Sequence, residues 1–390
     1  MTLTGPLTSS QRDWLRVRSY LTEHRYDLAV RAAEDYPAAQ RVAGTPLLTR
    51  PSWLPAAPVP LDQISLGFTE PPAGPPAVSH AATAAGTPLL PERPDGTRYL
   101  SYAEAVADLG APATFENRPT YRLTAAALNP PAVNPPGLDP SGLDPSGLGL
   151  AFTRGRYFDG IDTGEAAAHE FAAARLGAGP PRGRGLRAAV ADPCDLDARP
   201  ANLAISTLTL RLDAATGRAS FLLHWRDPAR VGHAGGLYQV IPVGVFQPAG
   251  PDRASERAGF SLWSGMIREF DEELRGAPED YGARPAGDAW PFARRMSDAL
   301  AAGEIRVWCL GLGTDPLTWA TDLLTVAVID SRLFDQLFSL APRPNDEGRV
   351  LAARDFAPHV IDRIVSREPV QAAGAAVLRL AWTHREVLTG

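Results

Sequence analysis

Between Ser261 and Arg275 the chain places Leu262, Met266, Phe270 and Leu274 at intervals of four, and between them come Arg268, Glu269, Asp271, Glu272 and Glu273. An apolar line at that interval specifies a helix with one buried side. Positions i, i+3 and i+4 share a helix face, so Glu269, Glu272 and Glu273 fall together. Carboxylates that close repel one another unless a cation or an arginine compensates. Hard oxygen ligands suit Mg²⁺, Mn²⁺ or Ca²⁺. The spacing therefore predicts a helix over 261–275, stopped by Gly276 and Pro278, that is either a metal-holding face or an ordinary solvated one.

The segments around this helix predict a sheet. Leu203–Leu212 and Arg218–Arg226 flank the turn Asp213-Ala-Ala-Thr-Gly217, a hairpin pattern. Tyr238–Phe246 reads as a third strand, with Pro242 marking an edge or bulge. Ile305–Leu312 and Asp322–Ile329 read as two more, followed by short helix Leu333–Phe338 and a closing helix over Ala372–Leu388. The expectation is an α+β domain at 201–390. Residues 1–190 read as an irregular, Pro-rich α+β region. It has a helix over Ser9–Glu34, Pro-rich stretches at 45–60 and 70–94, a helix over Tyr102–Leu109, a strand at Tyr121–Leu123 and a helix passing through Glu165, His169 and Glu170. Gly-Leu-Asp-Pro-Ser occurs at 137–141 and again at 142–146, too few copies for a solenoid. The Gly/Pro/Arg-rich stretch 177–187 is the candidate boundary.

Arg268-Glu-Phe-Asp-Glu-Glu-Leu274 resembles the core of the Nudix box, with Phe270 at its bulky apolar position. The resemblance implies a mixed sheet between helices and Mg²⁺- or Mn²⁺-dependent hydrolysis of a nucleoside diphosphate linked to another moiety. It assigns the metal to Glu269, Glu272 and Glu273, and catalytic roles to Glu269, Glu273 and Arg268. The sequence departs from the box at three places. Phe260 stands where the upstream acid belongs, Ala254 stands where the first glycine belongs, and Gly276 is one residue late. Glu256, in the stretched loop before the helix, is a candidate replacement for the missing acid. The alternative is a catalytically inactive Nudix-fold module that senses a nucleotide-like small molecule in regulation. Segments 43–61 and 311–330 also resemble uncharacterised actinobacterial proteins, some fused to helix-turn-helix regulators.

Composition narrows the chemistry further. All 38 basic residues are arginine, so lysine Schiff bases, the P-loop lysine and the kinase lysine are excluded. A net charge of -6 disfavours nucleic acid as a partner. Cys194 and Cys309 are too few and too far apart for a zinc cluster or disulfide framework. No apolar run reaches membrane-spanning length, and Met1–Arg12 lacks a leader pattern, so a cytoplasmic protein without a membrane partner is expected. Lesser candidates are His169-Glu170, half of a zincin motif whose second histidine would fall on Ala173. Asp159, Asp162 and Glu165 are close enough in sequence to share a metal. His233 precedes Gly235-Gly236 as a candidate base, Gly311-Leu312-Gly313 follows a strand, and Tyr238, Trp308 and Trp319 are aromatics able to stack on a base or pack in the core.

Overall fold

The computed structural model describes residues 6–70, 87–112, 114–129, 147–179, 185–228, 235–278, 281, 289–338, 340, 343–344 and 348–390. The repeat at 137–146 and His233 lie outside them. The chain begins with α1 (Ser9–Glu23) and α2 (Arg25–Ala33), which replace the single expected helix. The break falls at His24, whose backbone leaves the helical region at φ -115°, ψ 19°. Next come β1 (Val59–Pro60), β2 (Ser65–Phe68), α3 (Tyr102–Gly110), β3 (Pro119–Ala127) and β4 (Gly149–Arg156). A helical segment follows in three pieces: α4 (Tyr157–Gly160), a π-helix over Ile161–Glu165 and α5 (Ala166–Arg175).

The second half holds β5 (Leu203–Asp213), β6 (Arg218–Phe221), β7 (Leu223–Arg226), β8 (Tyr238–Val240) and β9 (Val243–Val245). After these come α6 (Leu262–Glu269), α7 (Pro291–Ala301), β10 (Ile305–Thr314), β11 (Thr321–Asp330), α8 (Ser331–Leu337), α9 (Pro358–Arg367) and α10 (Ala372–Thr383). Two expected strands are each divided. Arg218–Arg226 breaks at Leu222, and its halves enter different sheets. Tyr238–Phe246 breaks at Ile241-Pro242, and β9 crosses to pair with β5 while β8 pairs with β7.

The fold is α+β. β10, β11, β5 and β6 form the middle of a seven-stranded mixed sheet, in which β5 and β11 run parallel and β10 and β11 antiparallel. Alternate residues of each strand face opposite sides. Leu203, Ile205, Leu323, Ala327 and Ile329 pack on one side with Met266 of α6, Met296 of α7 and Phe334 of α8. Leu208, Leu210, Leu324, Val326 and Val328 pack on the other with Ile361 of α9 and Val377 of α10. These near-continuous apolar strands are what a sheet covered on both faces requires. Among the described residues, no helix is long and apolar enough to cross a membrane.

Residues from both sides of 190–201 share one core. Trp53, Val59, Leu61 and Ile64 lie in the same cluster as Ile205 and Leu323. β1 adds to the sheet edge beside β10, with Val59 opposite Cys309 and Pro60 opposite Trp308. A proline is tolerated there because an edge residue has no ladder bond to give on its outer side. Gly311 sits at a bulge in β10 with φ +145°, and a Cβ on it would stand 2.6 Å from Leu54 Cδ2. The glycine pair 311/313 thus lets the Pro-rich segment lie against the sheet.

Candidate functional site: the carboxylate helix and strand β9

The Ser261 side chain accepts the Ser264 N–H at 3.3 Å and starts α6. The helix does not continue to Arg275 in α form. From Phe270 to Leu274 it widens into a π turn. Gly276 then ends it at φ +74°. The Ala277 N–H donates to the Asp271 carbonyl at 3.0 Å, one residue further back than in the usual glycine-ended α-helix. A π turn is the geometric signature of one extra residue in a helix, and the box glycine is one residue late.

The apolar line explains why the core accepts this turn. A regular α-helix rotates a four-residue repeat off its face by roughly 40° at each step. The wider π turn rotates the other way, so Leu262, Met266, Phe270 and Leu274 all remain in one core cluster, each at most 4% exposed. Phe270 is fully buried and stacks on Phe338 with ring centroids 5.7 Å apart.

The charged residues are tied to the sheet. β9 pairs with β5, with Gly244 opposite Ile205 and Val243 opposite Ser206. Arg268 donates to the carbonyls of Gln247 at 3.1 Å and Val245 at 3.4 Å, and to Glu269 Oε1 at 3.4 Å. The Glu269 carboxylate fills the space over Gly244, where a Cβ would stand 2.0 Å from Glu269 Cδ. Glu273 is 3% exposed, and its Oε2 accepts the Val243 N–H at 3.3 Å. Asp271 is buried too and takes Arg275 Nη1 at 2.6 Å. Glu272 is half-buried. Arg268, Glu269 and Glu273 therefore clasp one short strand. Replacing Gly244 by alanine should force the Glu269 carboxylate aside and cost about 1–3 kcal/mol. Urea unfolding would measure it, and an unchanged midpoint would mean the carboxylate swings clear without cost.

The other sequence candidates are held apart. Phe260 lies in an aromatic cluster with Phe68, Tyr121, Phe152 and Phe246, at centroid distances of 5.0–5.9 Å. That explains why no acid stands there. Glu256 is taken by Arg154, at 2.6 and 2.9 Å. Asp159 accepts the Arg156 N–H and Asp162 the Ala103 N–H, while Glu165 binds Arg25, so the three do not converge. Glu170 accepts the Leu186 and Arg187 N–H groups. His169 is buried against Trp14, and burial together with Arg18 pushes its pKa down to about 3. Trp319 is buried at the turn after Asp315, and that aspartate accepts the Leu317 and Thr318 N–H groups. Among the described residues, no group of three or more His, Cys, Asp or Glu is placed to hold a metal ion.

Two features escaped the sequence reading. One is the buried Arg25–Glu165 pair, joined across 140 residues by two 2.9 Å bonds. The other is a shallow cleft between α2 and the start of α10, lined by Arg25, Tyr26, Asp315, Thr318 and Gln371 among others and by no residue of the carboxylate helix.

No family model matches the sequence, and no curated protein matches it. Among solved structures, a NUDIX hydrolase from Alicyclobacillus acidocaldarius is similar at 18% identity and a TM-score of 0.28, over 48% of this chain and 95% of that one.

Proposed function

We propose that the C-terminal half is a Nudix-like module that binds a nucleotide-like small molecule without hydrolysing it, its carboxylate helix serving as a brace for the sheet. One observation carries this reading: Glu269 and Glu273 are committed to β9, one over Gly244 beside Arg268 and the other on the Val243 N–H. Metal-assisted pyrophosphate hydrolysis needs several hard oxygens converging on one ion with open positions for water and substrate. These side chains, as placed, do not fit Mg²⁺ or Mn²⁺. The lysine-free composition leaves arginine as the phosphate partner, and arginine suits it through paired N–H donors.

The test is a panel of nucleoside diphosphates and their conjugates, with and without Mg²⁺ or Mn²⁺. A bound ligand at a hundredfold excess over Kd should raise stability by roughly 2.7 kcal/mol, visible as a higher melting temperature, with no phosphate-containing product released. Metal-dependent turnover that disappears in Glu273→Gln would replace this reading with the hydrolase. A melting temperature that no nucleotide moves would remove both.

A further inference from the structure

We infer that a single extra residue in the carboxylate helix, absorbed as the π turn at Phe270–Leu274, is what turned a metal-binding face into a clasp on β9. This rests on the reading above. The apolar repeat and the helix closure meet at the turn. The apolar residues keep a strict interval of four, and the wider turn offsets the drift that an α-helix gives such a repeat. The closing bond from Ala277 reaches Asp271, one residue beyond the usual partner. Gly276, with φ +74°, is the helix stop, and it lies one residue later than the resemblance requires.

The consequence is geometric. In an unbroken α-helix, Glu269, Glu272 and Glu273 project from one face and share a focus. The π turn spreads the residues after Glu269 over a wider arc, so the step from Glu269 to Glu272 rotates less than the α-helical one. Glu273 still lies beside Glu269 and goes with it onto β9, at Val243 and Gly244. Glu272 is left half-buried to one side. Asp271 pairs with Arg275 at the i,i+4 spacing, which buries a fourth carboxylate against an arginine that lies over Phe292 at 4.5 Å. Glu269 and Glu273 are thus held by hydrogen bonds to protein where a cation would otherwise hold them. The chemical class of the ion excluded is a hard divalent cation, Mg²⁺ or Mn²⁺.

Removing Arg275 tests this directly, because it brings the helix-ending glycine one residue closer and leaves no extra residue for the π turn. Mn²⁺ binding is read by electron paramagnetic resonance on the full chain, with circular dichroism to verify folding. The deletion variant should bind Mn²⁺ about tenfold more tightly than the parent, since affinity follows the number of converging carboxylates. Arg275→Gly is the second variant. It keeps the chain length but offers an earlier helix stop, and it should move in the same direction by a smaller factor. Should the deletion fail to fold, this variant decides alone. A folded variant that binds Mn²⁺ no better than the parent overturns the inference while leaving the binding-module reading intact. A parent chain that binds Mn²⁺ as tightly as the variants overturns it as well. Turnover by the parent with Mg²⁺ would instead sink the binding-module reading.

Discussion

Replacing Glu165 by alanine should destabilise the protein by about 3–5 kcal/mol, the usual cost of leaving one member of a buried ion pair without the other. The Arg25 guanidinium is 6% exposed and the Glu165 carboxylate 3%, and two parallel 2.9 Å bonds join them. Arg18 approaches the same carboxylate at 3.6 Å and donates to the Tyr102 hydroxyl at 3.0 Å. Tyr102 in turn meets His169 Nδ1 at 3.2 Å. Without Glu165 this network keeps the buried Arg25 and the partly buried Arg18 and loses the carboxylate between them. Water has little access to repair the loss, so the penalty is paid in full. The double replacement Arg25→Met with Glu165→Leu should recover most of the stability, because apolar groups of similar size remove both charges at once. Urea unfolding of the two variants separates the cases. Equal losses in both would mean that packing, and not charge, is what Glu165 supplies.

That pair shows which parts of the fold the sequence carried. β5, β10 and β11 were legible because a strand buried on both faces must be apolar almost throughout. Runs such as Leu-Leu-Thr-Val-Ala-Val-Ile at 323–329 have few other uses. The helices at 291–301 and 358–367 were equally legible from Phe292, Met296 and Ala299, and from Val360, Ile361 and Ile364, but went unread behind their leading prolines. A proline at the first helical position is a start signal. The Arg25–Glu165 pair was not legible, since nothing local ties two charges 140 residues apart.

The candidate site divides in the same way. Its residues and their helix were readable from the interval of four and the acid spacing. Their destination was not, because it depends on Gly244, whose missing Cβ leaves the space that Glu269 occupies. A glycine within an apolar strand is the signal for such a close approach. The π turn was also present in the sequence, in the pairing of a strict four-residue repeat with a late glycine.

Phe270→Ala should therefore be the most damaging single change in the carboxylate helix, at about 3–5 kcal/mol for a buried aromatic reduced to a methyl group. Phe270 is the first residue of the π turn, has no exposed surface and stacks on Phe338, which itself meets Phe292 and Phe334 edge-on at 6.2 and 5.3 Å. Its ring fixes the rotation of the helix at the point where the turn widens. Two forces hold that point, the aromatic packing beneath it and the clasp on β9 beside it, and they predict different patterns. If packing dominates, Phe270→Leu should retain most of the stability, at a cost of about 1 kcal/mol, and Phe270→Ala should lose several times more. If the clasp dominates, the Gly244→Ala variant should lose as much as Phe270→Ala. The packing account is favoured by magnitude. The clasp bonds are 3.3–3.4 Å long where they involve Glu269 and Glu273, and hydrogen bonds to charged groups contribute about 1.5–3 kcal/mol each, so either one alone is worth less than the burial of one phenylalanine. A loss below about 1 kcal/mol for Phe270→Ala would reverse that ranking and make the carboxylates the element that sets the turn.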